Sequence, residues 1–177
     1  MVKYRGFLLA CFVLLPFAVA RAGNSIPVPS VPEEDGAMRL AFARARAGLD
    51  GFLAKLAKPP QGSKLFAVKI GLADSPSGKA VVIVRPDQKS PKRVEFFWVH
   101  DVQPVANGFN GRIDNDPETI HGARAGQPIH FVKDDIADWM YVQDGKIKGN
   151  ATACPALAHA TPTERKKMAE EYGIICE

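Results

Sequence analysis

The spacing of the β-patterned segments is what most constrains this chain. Between residues 65 and 151, extended runs follow one another with only short turn-forming stretches between them. Parallel neighbours need a crossover of about a dozen residues or more, so connections this short confine the sheet to a largely antiparallel one. The segment ahead has a different period. Met38, Phe42, Ala45, Leu49, Phe52, Leu53 and Leu56 recur at steps of three and four, the apolar stripe of an amphipathic helix. One helix, a succession of strands and a closing helix read as α+β: an N-terminal amphipathic helix packed on a largely antiparallel sheet, with a short C-terminal helix.

Local signals set the expected boundaries. Ser30-Val-Pro-Glu33 reads as a capping box with Pro32 in the first turn, and Glu33, Glu34 and Asp35 suit the positive end of a helix. Pro59-Pro60 and Gly62 end it, Gly48 and Gly51 weaken it, and Arg39, Arg44, Arg46 and Asp50 form a solvated face. Leu65–Leu72 alternates as a strand, with Phe66, Val68 and Ile70 on one side and Lys69 among the residues on the other. After a turn at 73–78, strands are expected at Ala80–Val84 and Val94–Val102, with a polar loop at 86–91 between them. Turn signals at Asn107–Gly111 and Asp114–Pro117 bracket a short strand at Arg112-Ile113, and residues 118–123 suggest one helical turn. A strand at Ile129–Val132, a turn or short helical bend at Asp134–Asp138 and a hairpin of Trp139–Val142 and Ile147–Ala151 around Asp144-Gly145 follow. Thr161-Pro-Thr-Glu164 opens the last helix, which ends near Gly173.

The N-terminus carries an export pattern. Lys3 and Arg5 precede the apolar run Phe7–Ala20, and Ala20-Arg21-Ala22 supplies a small-x-small cleavage site before Gly23. The run is shorter than the ~20 residues a membrane span needs. Leu8–Cys11 looks like a lipid-attachment box, but most of the apolar run follows Cys11. The expected organisation is a signal peptide at 1–22, a linker at 23–29 and a single α+β domain at 30–177. No membrane anchor would remain after cleavage.

Cleavage changes the charge and cysteine arguments. The leader takes Lys3, Arg5 and Arg21 and no acid, leaving 20 basic against 19 acidic residues, a net charge of +1. A near-neutral domain gives no electrostatic reason for a nucleic-acid partner. Cys11 leaves with the leader, and Cys154 and Cys176 remain as a pair. In an oxidising compartment they are expected to form a disulfide tying down the C-terminal segment. Closing that loop is worth about 3 kcal/mol in the chain-entropy model.

The residues able to do chemistry form no established motif. Asp134, Asp135 and Asp138 lack the spacing of a calcium loop, and read as a polar turn in which Asp138 fixes the backbone. His100, His121, His130 and His159 show no zinc spacing. His100-Asp101 is the one pairing that would orient an imidazole for general-base work, with no nucleophile elbow to complete it. Trp98, Trp139 and Tyr141 are candidates for a ligand groove or, at strand spacing, for the core. Asn150-Ala-Thr152 matches a glycosylation acceptor by accident of sequence.

Several segments together resemble a bacterial family, domain of unknown function 2314 (YegJ-like). They are Phe66-Ala-Val-Lys69, Trp98-Val99, Gly111-x-Ile-x-Asn115-x-Pro117, Asp134-Asp-Ile-Ala-Asp-Trp-Met-Tyr141, Gly145 and Gly149-Asn150, in order over about 35–158. The resemblance implies a small α+β bacterial domain, often exported, with no established activity. Where the family often has Glu-His before the tryptophan, this chain has Glu95-Phe96, which counts against catalysis at that position.

The expectation is therefore an exported periplasmic, non-enzymatic binding or protein-interaction module with a periplasmic protein as its kind of partner. Trp98, Asn115, Asp138, Trp139, Tyr141 and Asn150 are the candidate binding residues, without cofactor, metal or catalytic group. The alternative is a small hydrolase or metal-dependent enzyme using His100, Asp101, Asp135 and Asp138.

Overall fold

The computed structural model describes residues 35–82, 94–174 and 176. The first helix, α1 (Gly36–Ala57), is capped by Asp35, whose carboxylate accepts from the backbone N–H groups of Ala37 (2.7 Å) and Met38 (3.2 Å). The expected cap at Ser30, the leader, the linker and the loop at 86–91 lie outside the described residues, as does the end of the strand begun at Ala80. The buried residues of α1 are Met38, Ala41, Phe42, Ala45, Leu49 and Phe52, which follow the stripe read from the sequence.

Among the described residues seven strands follow: β1 (Ser63–Asp74), β2 (Ala80–Val82), β3 (Glu95–Val105), β4 (Gly108–Ile113), β5 (Pro128–Phe131), β6 (Ile136–Gln143) and β7 (Lys146–Gly149). They form one sheet in the order β5-β4-β3-β1-β6-β7, with β2 also paired to β1 and every pairing antiparallel. The fold is thus α+β with an antiparallel sheet. Two short helices, α2 (Ala153–Ala158) and α3 (Pro162–Lys167), come next, and a π-turn at Met168–Tyr172 ends at Gly173. The expected cap is present: Thr161 and Glu164 hold one another's backbone N–H.

Three local expectations are corrected. Only Ala106-Asn107 turns between β3 and β4; Phe109–Gly111 is strand, because Gly111 lets β4 lie against Val99 and the His100 carbonyl. Residues 118–123 are not helical, since carboxylates from the sheet hold their N–H groups (below). The short helical bend expected at Asp134–Asp138 is present but covers Lys133–Asp135, so Asp138 lies within β6. The six-residue α2 has no counterpart in the sequence reading.

The main core gathers Leu49 and Phe52 of α1 with Val68, Ile70, Leu72, Phe97, Val99, Ile113, Phe131, Ile136 and Tyr141 of the sheet. A fully buried aromatic such as Phe52 contributes about 1.5–3 kcal/mol. The N-terminal half of α1 supplies Met38, Ala41 and Phe42 to a second cluster with Phe96, Ala137 and Ala151. Among the described residues no helix is long and apolar enough to cross a membrane.

Candidate functional site

The segments singled out in the sequence meet in the middle of the sheet. Trp98 of β3, Lys69 of β1 and Asp138 of β6 are successive cross-strand partners, so their side chains share one face. Lys69 Nζ lies 4.6 Å from the centre of the Trp98 ring. It donates to Thr152 Oγ1 at 2.6 Å, and that hydroxyl in turn donates to Asp138 Oδ2 at 2.7 Å. The Thr152 N–H reaches the same oxygen at 2.8 Å, and the Trp139 N–H reaches Oδ1 at 2.8 Å. Asp138 is 0% exposed and Thr152 5%. No buried side-chain polar atom among the described residues lacks a partner.

Burial governs the electrostatics of this group. It raises the Asp138 carboxyl above its usual range, against the attraction of Lys69 and the bonds from Thr152 and Trp139. It lowers the Lys69 ammonium, against the attraction of Asp138. Two costly charges are accommodated because each compensates the other and a hydroxyl bridges them.

Backbone geometry places Thr152 over Asp138. After β7, Gly149 (φ 82°) and Asn150 (φ 58°) are both left-handed, and the Asn150 N–H returns to the Trp139 carbonyl at 2.8 Å. A Cβ at Gly149 would sit 2.3 Å from that carbonyl oxygen, so glycine is required. Gly149-Asn150-x-Thr152 is thus a device for swinging the chain back onto the sheet.

The candidate binding residues divide. Trp98, Asp138, Trp139 and Asn150 belong to this cluster or its backbone. Trp139 and Tyr141 are core residues rather than groove walls: the Trp139 indole donates to the Ala45 carbonyl at 2.7 Å and stacks on Phe52, and Tyr141 stacks on Phe66 at 5.1 Å. Asn115 stands apart, its amide reaching only the Asp116 carbonyl at 3.4 Å. The sequence reading placed Lys69 on the side of β1 opposite Val68 and Ile70, and it gave neither Lys69 nor Thr152 a role in a site. Neither role is visible locally, because Lys69 acts through strand register and Thr152 through the turn at Gly149-Asn150.

The four groups of the hydrolytic alternative are not brought together. His100 lies 3.1 Å from Asp101 and 3.9 Å from Asp114 at the surface. Asp135 accepts the Val132 N–H at 2.8 Å, and Asp138 is enclosed as described. Among the described residues no group of three or more His, Cys, Asp or Glu side chains is arranged to hold a metal ion.

Two further carboxylates organise the long loop after β4. Glu95 accepts from the N–H groups of Glu118, Thr119 and Ile120 and from the Thr119 hydroxyl, at 2.7 to 3.2 Å. Asp74 accepts from the N–H groups of His121 (3.0 Å) and Gly122 (2.8 Å). Five consecutive backbone donors are therefore satisfied by side chains at the ends of β1 and β3. A disulfide joins Cys154 in α2 to Cys176, with Cα atoms 5.4 Å apart.

Comparison with known proteins matches residues 35–175 to a family model described as an uncharacterized protein conserved in bacteria, DUF2314. The chain is similar to the uncharacterized protein YegJ of Escherichia coli (strain K12), 33% identical over 135 residues, covering 76% of this chain and 74% of that one. It is also similar to a putative ankyrin repeat protein of Neisseria meningitidis serogroup B, 28% identical over 80 residues. That match covers 45% of this chain and 32% of the relative, so it spans about a third of that longer protein. No solved structure matches.

Proposed function

We propose that this chain, which belongs to the conserved bacterial family of domain of unknown function 2314, is an exported, non-enzymatic binding module that acts by holding a protein partner in the periplasm. The observation that carries the reading is the closed Lys69–Thr152–Asp138 cluster. Among the described residues Asp138 and Thr152 are buried and Lys69 is half-buried, and the three are hydrogen-bonded in series, an arrangement that fixes a scaffold rather than presents a reactive group. The Cys154–Cys176 disulfide fits an oxidising compartment, and the leader pattern at residues 1–22 supports export.

The test is capture of partners from periplasmic extract by the immobilised protein, identified by mass spectrometry and compared with a folded control. A defined partner retained through stringent washing is expected. Turnover of a substrate that is lost on replacing His100 or Asp138, with folding intact, would overturn the reading in favour of an enzyme.

A further inference from the structure

We infer that the outward face of α1 is the surface on which this module takes its partner, and that the partner presents an acidic amphipathic helix. The inference rests on the reading of the chain as an interaction module. What carries it is charge. The outward half of α1 holds Arg39, Arg44, Arg46 and the half-buried Lys55, and Lys58 follows at its C-cap. Its one carboxylate, Asp50, is engaged by Lys133 from the bend after β5. Among the described residues Arg44, Arg46 and Lys58 have no ion-pair partner. Beyond residue 22 the chain has 20 basic and 19 acidic residues, so this concentration of cations belongs to one face and not to the composition.

The cations are ordered. At 3.6 residues per turn, Arg39 and Arg46 fall on one flank of the outward face and Arg44 and Lys55 on the other. Ala43, Ala47, Gly51 and Ala54 lie between them, together with Leu40 and the Lys133-paired Asp50. Glycine inside a helix costs about 0.5–1 kcal/mol relative to alanine. Gly48 has an internal reason, since a Cβ there would lie 2.6 Å from the Trp139 ring. Gly51 has none: the nearest atom is the flexible end of Lys55, 3.9 Å away. A helix seated between the two flanks would bring its carboxylates to both, where arginine pairs with them bidentately.

Other surfaces and occupants fit less well. At the β5 edge, Ile113 N–H donates to the Gln127 carbonyl, which turns the backbone of Pro128 and His130 outward. Pro128 has no N–H to offer and Asp135 takes that of Val132, so this edge is blunted against strand addition. The β7 edge carries Lys146 and Lys148, with Lys146 Nζ on the Glu170 carbonyl. A second copy of the chain would set like charges against each other. An anionic bilayer would need bulky apolar side chains to receive, and Leu40 is the only large one exposed on α1.

The experiment measures binding of the full chain, with its disulfide intact, to three probes. They are a labelled helical peptide with glutamates flanking an alanine stripe, its twin with lysine for glutamate, and vesicles containing phosphatidylglycerol. Binding of the acidic peptide alone is expected, weakened by salt. The double variant Arg44→Glu/Arg46→Glu and the single variant Gly51→Leu should each weaken it about tenfold or more. Arg44→Lys/Arg46→Lys should retain most of it, and circular dichroism should show all variants folded. Equal binding of the twin, unchanged binding by the variants, or binding to vesicles in place of the peptide would overturn the proposal. A periplasmic partner captured equally well by wild type and by Arg44→Glu/Arg46→Glu would overturn the assignment to α1 and leave the module reading standing.

Discussion

Asp138 lies fully buried in β6, accepting three hydrogen bonds, with Lys69 as its counter-charge. Removing one member of such a pair leaves the other desolvated without compensation. Asp138→Ala is therefore expected to cost about 3–5 kcal/mol, read as a lower urea midpoint. The double variant Lys69→Met/Asp138→Ala should cost less than the sum of the two singles, because the stranded ammonium is gone. Additive costs would show that the two groups stand alone. A second residue-scale expectation concerns Gly48. Alanine there would push the Trp139 ring from its stack on Phe52, 5.2 Å between centroids. The outcome should be a changed tryptophan emission spectrum together with lower stability, against alanine's intrinsic advantage in a helix.

At the scale of elements, α1 depends on its cap and α2 on its tether. Asp35→Ala removes two bonds to the first turn and should lower stability by about 1 kcal/mol. Replacing Cys154 and Cys176 by serine frees the segment after α2, and the loss of the closed loop should cost about 3 kcal/mol. Both values follow from denaturant midpoints at constant slope. Much at this scale was legible in the sequence. The stripe of α1, the alternation of β1, the Asp144-Gly145 hairpin and the Thr161 cap are local patterns, and each forms where its residues indicate. What was not legible depends on contacts far along the chain. Gly111 reads as a turn residue until Val99 is packed against it. Residues 118–123 read as helical until Glu95 and Asp74 take their N–H groups. Lys69 reads only as a residue on the second side of its strand until register sets it between Trp98 and Asp138. The motif residues around the cluster stood out in the sequence, but the link that the Thr152 hydroxyl makes between Lys69 and Asp138 did not.

Over the whole molecule, these carboxylates set the response to acid. The backbone bonds of His121 and Gly122 hold Asp74 below its usual range. For Glu95, burial alone would raise the carboxyl, but the bonds from residues 118–120 together hold it low. A carboxylate depressed in the folded state contributes stability above its unfolded pKa of about 4, and that contribution is lost as pH falls through the folded value. Asp138 has the opposite sign, so its protonation on acidification opposes the trend. The melting temperature should therefore fall as pH drops from about 5 to 3. Amides 118–122 should lose protection before those of the sheet core, read by hydrogen exchange. Unchanged protection there would mean that the two carboxylates do not hold the loop.

Export is the premise that joins the disulfide, the near-neutral charge and the choice of partner, and one measurement tests it. The protein is recovered from cells by osmotic release, alkylated without reduction, and its intact mass determined. The account predicts a chain beginning at Gly23 with Cys154 and Cys176 unmodified by the alkylating agent. A chain beginning at Met1, retained with the cytosolic fraction and alkylated at both cysteines, would contradict it.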